Sequence, residues 1–224
     1  MSDRGESVSD RGEELAALRE EYAKIGLSEA DLPSDPFTLF EQWLADAIAS
    51  GMHEPTAMAV STLGPAGAPN SRLVLLKSVD ERGLVFFTNY RSRKARDLAT
   101  DPRCAAVFPW HCILRQVRLE GRAERVSSEE SDAYFATRPR GSQLGAWASP
   151  QSEEVPDREY LDRAYEKTEL RWPETASIPR PAHWGGIRIV PAAVEFWQGR
   201  SARMHDRIYY SRVGKSWKFG RLAP

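Results

Sequence analysis

The sequence has little cysteine, no long apolar run and almost no net charge, and each shortage removes a class of function. Its 224 residues hold two cysteines, Cys104 and Cys112, which cannot make a disulfide framework in a chain of this size. They lie on either side of Phe108-Pro-Trp110 with His111 beside them, but there is no C-x-x-C pair and no second ligand pair follows. The spacing therefore points to buried structural thiols, and no metal is expected. No apolar stretch approaches the ~20 residues of a membrane-spanning helix, and the polar N-terminus lacks the apolar segment of a secretory signal. A cytoplasmic protein without a membrane partner is expected. Lys plus Arg number 31 against 32 Asp plus Glu, a net charge of −1, so no overall field favours nucleic acid and any anion site must come from local clustering. There is no G-x-G-x-x-G after a strand and no Walker loop, so a bound phosphate would be held by side chains and helix ends.

What is present suits one sizeable core, with 41% hydrophobic residues. Residues 1–12 are polar, repeat Ser-Asp-Arg-Gly and read as a disordered tail ahead of a single domain over 13–224. Leu15, Leu18, Tyr22 and Ile25 then recur at helical spacing before Gly26. A second helix is predicted to open at Ser34-Asp-Pro36 and close at Gly51, with Phe37, Phe40, Trp43 and Ala47 on one side. Strands are predicted over 57–63, 72–79, 84–89, 104–110, 113–126, 186–190, 194–197, 207–211 and 216–222, where Val, Leu, Phe and Thr concentrate between turn residues. Helices are predicted over 93–100, from Ser127 to just before Pro139, and over 157–172. Many short antiparallel strands and few helices give a mainly β fold with flanking helices (α+β), closed or nearly closed into a barrel.

The basic residues are clustered in three places. Ser92-Arg93-Lys94 puts two cations in the first turn of a helix, where the macrodipole already presents partial positive charge. A phosphate would resolve that conflict, although both side chains could also extend into water. Tyr134 and Arg138 share a helix face, and Ser142 follows in a Pro-Arg-Gly loop; phenol, guanidinium and hydroxyl together suit a second phosphate, or an exposed helix end. Lys77 and Arg72 are an odd number apart, on opposite faces of an ideal strand, and can serve different phosphates. Arg203, His205 and Arg207 alternate, so an extended chain there would aim all three at one face, toward a ligand or into water on an edge strand. Gln116, Gln151, Ser152 and Trp197 are neutral or flat groups that suit the edge and face of a planar ring, and each taken singly also suits ordinary packing.

The run Glu195-Phe-Trp-Gln-Gly-Arg-Ser-Ala-Arg-Met-His-Asp-Arg207 resembles the C-terminal signature of the pyridoxamine (pyridoxine) 5′-phosphate oxidases. Family-like stretches follow the same order along the chain at 72–77, 87–94, 115–117, 138–143, 145–152 and 221–224. The resemblance implies an FMN-binding split β-barrel, homodimeric, that oxidises pyridoxamine or pyridoxine 5′-phosphate to pyridoxal 5′-phosphate with O2 as acceptor and H2O2 as product. It assigns Arg72, Leu73, Val74, Leu75, Leu76, Lys77, Phe87, Thr88, Arg93, Lys94, Gln116, Gln151, Ser152, Trp197 and Arg207 to FMN. Lys77, Tyr134, Arg138 and Ser142 are assigned to the substrate phosphate, Arg203 and His205 to the substrate ring as catalytic groups, and Arg19 and Tyr22 to a cover over the bound substrate. Phe87 stands where many relatives carry a Tyr, so the hydrogen bond of that hydroxyl is missing here. The alternatives are a split-barrel flavin oxidase with a different, phenazine-type substrate, and a non-catalytic carrier of flavin or pyridoxal phosphate.

Overall fold

The computed structural model describes residues 26–173 and 176–224. The tail over 1–12, the helix expected ahead of Gly26, and with it Arg19 and Tyr22, lie outside the described residues.

Helix α1 (Pro36–Ala49) starts where its sequence demands. The Asp35 carboxylate accepts from the Phe37 and Thr38 N–H groups at 2.9 and 3.0 Å, and Pro36 occupies a position whose N–H has no helical partner. Its buried face carries Phe37, Leu39, Phe40, Trp43 and Ala47 onto the sheet. Each large side chain buried there contributes roughly 2–3 kcal/mol.

Nine antiparallel strands form one sheet: β1 (Ala57–Leu63), β2 (Pro69–Leu75), β3 (Ser78–Asp80), β4 (Gly83–Asn89), β5 (Arg103–Trp110), β6 (Arg115–Arg125), β7 (Trp184–Gln198), β8 (Asp206–Val213) and β9 (Ser216–Leu222). The order is β2-β1-β5-β6-β7-β4-β3, with β8 added to β7 and β9 to β8. Strand β7 is the spine. Its first half pairs with β4, its second half with β8, and β6 runs along the other side.

The two ends of the strand order, β2 and β3, are consecutive in the chain and joined only by Leu76-Lys77. The sheet therefore curls until its edges meet, and the meeting is covalent rather than a ladder. The Leu76 N–H goes to Thr56 O on one side, and the Lys77 N–H to Val85 O on the other, each at 2.8 Å. This split barrel encloses alternate residues of successive strands, among them Met58, Val60, Phe108, Val117, Leu119, Phe196 and Tyr210.

The flanking helices are α2 (Arg93–Thr100), α3 (Ser128–Thr137), α4 (Arg140–Ala148) and α5 (Arg158–Arg171). The Ser127 hydroxyl accepts from the Glu130 N–H at 3.0 Å, but the Glu130 carboxylate turns to Arg188 of β7 instead of returning to Ser127. Half of the expected capping box is thus used to hold α3 on the sheet.

Several predicted boundaries shift, each for a local reason. The strand expected over 72–79 breaks at Leu76-Lys77, where the barrel seam falls. The two strands expected over 186–197 are one, because the register of β6 shifts between Glu120 and Gly121 and lets Pro191 sit opposite Gly121. A Cβ at Gly121 would lie 2.2 Å from Val190 O, so only glycine fits. Strand β6 begins at Arg115 rather than Ile113, since His111–Ile113 forms a tight turn closed by Leu114 at φ 58°. Ser142 lies in the first turn of α4, not in a loop. The two thiols are not both buried: burial pushes Cys104 up to about 12, whereas Cys112 is exposed.

Candidate functional site

A cleft of about 310 Å³ opens at the seam. Leu73, Val74 and Leu75 of β2 and the seam residue Lys77 form one wall; Phe87 and Thr88 of β4, Lys94 of α2, Tyr134, Arg138, Gln151 and Trp184 form the rest. Two cationic groups stand at its ends.

The first is built on α2. Ser92 is its N-cap and fully buried, yet its hydroxyl caps nothing and lies 3.5 Å from Thr88 Oγ1. The first turn holds Arg93 and Lys94 and no acid, so its N–H groups and both cations are available to an anion. Lys94 Nζ donates to Thr88 Oγ1 at 3.3 Å and Gln151 Oε1 at 3.2 Å. Burial, with the charge of Arg72 added, lowers its pKa. Arg72 stands behind the cleft lining, near Lys94, and is held by Val60 O at 3.0 Å and Thr62 Oγ1 at 2.9 Å, with Asp97 at 3.8 Å. Burial lowers its pKa against the pull of Asp97, and nearby Arg93 lowers it further. Asn70, with its carboxamide oxygen turned toward them, accepts from Arg72 and from Arg93 Nε at 2.9 Å each. Two guanidiniums converging on one amide oxygen repel each other unless an anion joins them.

At the second end, a buried nitrogen of Arg138 has no hydrogen-bond partner. Its guanidinium lies 4.5 Å over the Trp184 ring and 5.5 Å from Phe135. Leaving such a donor unpaired in a buried site costs about 1–3 kcal/mol or more. Phe87 stacks on Tyr134 at 3.9 Å and on Trp184 at 5.4 Å, which makes this wall of the cleft a flat aromatic stack. Burial raises the pKa of the Tyr134 phenol, against the charge of Arg138. Burial likewise lowers that of Arg138, and Tyr134 opposes it.

The remaining expected residues are placed in three ways. Arg138 stands just beyond α3 with an extended backbone, so it reaches the cleft beside Tyr134 from a cap rather than from the helix face. Leu76 is in the core at 5% exposure and does not line the cleft. Ser142 and Ser152 are exposed and do not line it, Ser152 standing at φ 70° directly after the lining residue Gln151.

Gln116, Trp197 and Arg207 form a separate row across β6, β7 and β8, directly opposite one another. Arg207 Nε donates to Glu195 Oε1 at 2.7 Å, and a second nitrogen to Ala223 O at 3.0 Å. The His205 ring packs at 4.6 Å from Trp197, and its Nδ1 accepts from the Arg200 N–H at 3.1 Å. That bond places the proton of the neutral ring on Nε2. The extended run expected from Arg203 to Arg207 is not found. Ser201–Arg203 is a tight turn with Ala202 and Arg203 at φ 54° and 59°, and the strand begins only at Asp206. Arg203 is therefore exposed in the turn, and does not share a strand face with Arg207.

Three contributors went unread in the sequence. Trp184 lines the cleft, Asn70 joins the two arginines, and Glu195 orients Arg207. Glu195 had a signal, being two residues from Trp197 on a strand with cationic neighbours, whereas Asn70 had none.

Comparison with known proteins identifies the family of this barrel. Residues 44–172 match the family described as pyridoxamine 5′-phosphate oxidase, and residues 184–224 match the pyridoxine 5′-phosphate oxidase C-terminal dimerisation region. The chain belongs to the pyridoxamine 5′-phosphate oxidase family. It is 52% identical over 210 residues to the pyridoxine/pyridoxamine 5′-phosphate oxidase of Rubrobacter xylanophilus, covering 94% of this chain and 96% of that protein. The protein of the same name from Nocardioides sp. is also 52% identical over 210 residues, with 94% and 98% covered. Among solved structures, PhzG from Burkholderia lata 383 in complex with tetrahydrophenazine-1-carboxylic acid superposes with a TM-score of 0.84 at 32% identity, covering 90% of this chain and 99% of that one. An FMN-binding protein from Nostoc punctiforme, 17% identical with a TM-score of 0.69, shares the fold.

Proposed function

We propose that the chain is an FMN-dependent oxidase converting pyridoxamine or pyridoxine 5′-phosphate to pyridoxal 5′-phosphate, with O2 as acceptor. The observation that carries this is one cleft with a cationic group at each end, one of them with a buried donor lacking an acceptor. Two phosphates, one from a flavin and one from a substrate, fit such a cleft. Arg72, Arg93 and Lys94, with Ser92 and Thr88, would hold the FMN phosphate; Lys77, Tyr134 and Arg138, with Ser142 on the first turn of α4, would hold that of the substrate. When bound there, FMN would supply two-electron chemistry, with hydride removal from C4′, reoxidation by O2 to peroxide and, for the amine, hydrolysis of the resulting imine by water with release of ammonia. The protein's own part is charge and orientation: His205 presents a donor from Nε2, and Arg203 a second cation, to the substrate's polar edge.

The cleft residues and the group around Arg203, His205 and Arg207 do not meet within one chain. Gly185, opposite Thr88, and Trp197, opposite Arg207, are separated along β7 by roughly 40 Å at about 3.3 Å per residue. A site using both needs two copies, each giving one end of its β7 to either site of a homodimer, which agrees with the dimerisation region matched at 184–224. Mixing the impaired Arg138→Ala and Arg203→Ala chains should then raise activity above that of either alone, since a mixed dimer has one site with both defects and one with none. A random mixture should reach about a quarter of the wild-type rate. No recovery after subunit exchange would place both residues in one chain's site.

Purified protein should be yellow with one FMN per chain, and should release peroxide on addition of pyridoxamine phosphate. Arg93→Glu should weaken FMN by tenfold or more (a loss of roughly 1.5–3 kcal/mol for a charged hydrogen bond). Arg125→Glu should not, because Arg125 lies over the Tyr90 ring at 4.1 Å, away from the cleft lining. Equal effects would remove the helix-end phosphate site. The structural similarity to PhzG supports a second reading, in which the substrate is a phenazine-type carboxylic acid. Turnover of that class without turnover of the B6 phosphates would favour it, and FMN binding without peroxide would favour a carrier.

A further inference from the structure

The segment carrying Arg203 and His205 adopts a conformation that it cannot hold by itself. Ala202 and Arg203 are successive non-glycine residues at φ 54° and 59°, an arrangement that persists only where the surroundings enforce it. Immediately after it stands Asp206, a carboxylate with 6% exposure between two site residues. Its Oδ2 accepts from the Leu27 N–H at 3.0 Å and from the Arg200 guanidinium at 3.2 Å, while its Oδ1 accepts from Arg221. Arg221 lies in the C-terminal stretch that is part of the family resemblance, and it reaches further. Its Nε and a terminal nitrogen donate to the two Glu29 carboxylate oxygens at 2.7 and 2.9 Å, and the same terminal nitrogen donates to Leu27 O at 2.7 Å. Two residues later, the Ala223 carbonyl accepts from Arg207.

We infer that Arg221 is a positioning residue that holds the Arg200–Asp206 segment in its working geometry, acting through Asp206 and the 27–29 strap. The chain of contacts is continuous: Arg221 fixes Asp206, Asp206 fixes the Arg200 side chain, and the Arg200 N–H fixes Nδ1 of His205. The strap is packed too closely to move independently. A Cβ built on Gly26 would lie 2.2 Å from an Arg200 guanidinium nitrogen and 2.8 Å from Asp206 Oδ2. The electrostatics agree, since burial alone would raise the pKa of Asp206, but the bonds from Leu27, Arg200 and Arg221 hold it below the ordinary carboxylate range. Arg221 touches neither end of the cleft, so its effect should reach substrate through Arg203 and His205 and leave the flavin end alone. In that respect the inference rests on the proposed function.

The test is Arg221→Met in the full-length protein, with Gly26→Ala disturbing the same junction from the opposite side. Both variants should raise the KM for pyridoxamine phosphate by about tenfold, with kcat and the Kd for FMN within about threefold of wild type. Amide exchange in the peptide over 199–206 should quicken by at least about tenfold, while the β6–β7 ladder keeps its protection. Unchanged exchange over 199–206 overturns the inference, as does a KM within about twofold of wild type, or a loss of FMN affinity as large as the change in KM. If the wild-type protein does not turn over pyridoxamine phosphate, the functional reading fails, and the exchange comparison alone still decides whether Arg221 holds the segment.

Discussion

Arg188→Met should lower the stability of the protein by about 2–4 kcal/mol, a loss that comes from charge and not from a core cavity. Arg188 is 3% exposed at its side chain and bridges Asp80 of β3 at 2.7 Å and Glu130 of α3 at 3.0 Å. Removing it leaves both carboxylates without the cation they share. The loss falls short of the ~3–5 kcal/mol of a fully buried pair because Asp80 and Glu130 keep partial access to water. For a chain of this size the melting temperature should fall by about 5–15 °C. A fall of less than about 2 °C would mean that the bridge is not holding α3. Asp80 sets an acid limb. Burial alone would raise the pKa of Asp80, but the bonds from Arg82 and the charge of Arg188 lower it below the ordinary value. A group depressed in this way stabilises the fold above its unfolded pKa and loses that contribution as pH falls through the folded one. The acid side of a stability profile should therefore be shallower in Arg188→Met than in the wild type.

Among changes to the site, Arg138→Ala and Arg203→Ala should have the largest effects, each lowering kcat/KM for pyridoxamine phosphate by about ten- to a hundredfold. For Arg138→Ala most of the loss should appear in KM, because the half-buried guanidinium lies over Trp184 with one buried nitrogen that has no acceptor. For Arg203→Ala, FMN affinity should remain within a few-fold of wild type, as the residue stands in the exposed turn and not at the α2 end. His205→Asn should resemble Arg203→Ala but be milder, since Asn keeps a donor and an acceptor. Steady-state kinetics with and without excess FMN separate the cases. If added flavin restores full turnover to Arg203→Ala, that residue serves the flavin and not the substrate.

The parts of this fold that were legible in the sequence are those where local and tertiary demands agree. Helix α2 starts at Arg93 and strand β1 spans 57–63 as read, since each element lies between turn residues that mark its ends. The conflict at Ser92-Arg93-Lys94 was visible for the same reason, since a rule of helix termini is broken there. What escaped was set by contacts far along the chain. Helix α4 contains Gly141 and Gly145, poor helix formers, and is stabilised by packing of Leu144 in a second apolar cluster with Phe135, Ile178 and Trp184. The turn at 201–203 has no glycine or asparagine to mark its two positive φ angles; Asp206 and its partners impose it from outside. Nor could alternation reveal that the two halves of the site lie at opposite ends of one strand. That separation depends on the length of β7, which the sequence disguised by placing Pro191 in its middle.

The position of β7 in the chain has a bearing on how the protein is made. Strand β4 has β3 and β7 as its neighbours in the sheet, and β6 has β5 and β7. Until residue 198 has left the ribosome, the nascent chain can build a β2-β1-β5-β6 meander and a separate β3-β4 hairpin, each with an open edge of apolar strand. One late segment then closes both edges at once. Translation that pauses or stops between α5 and Trp184 should therefore yield chains that self-associate or recruit chaperones, and mutations that slow the docking of β7 should reduce the yield of folded protein even where they leave its final stability unchanged.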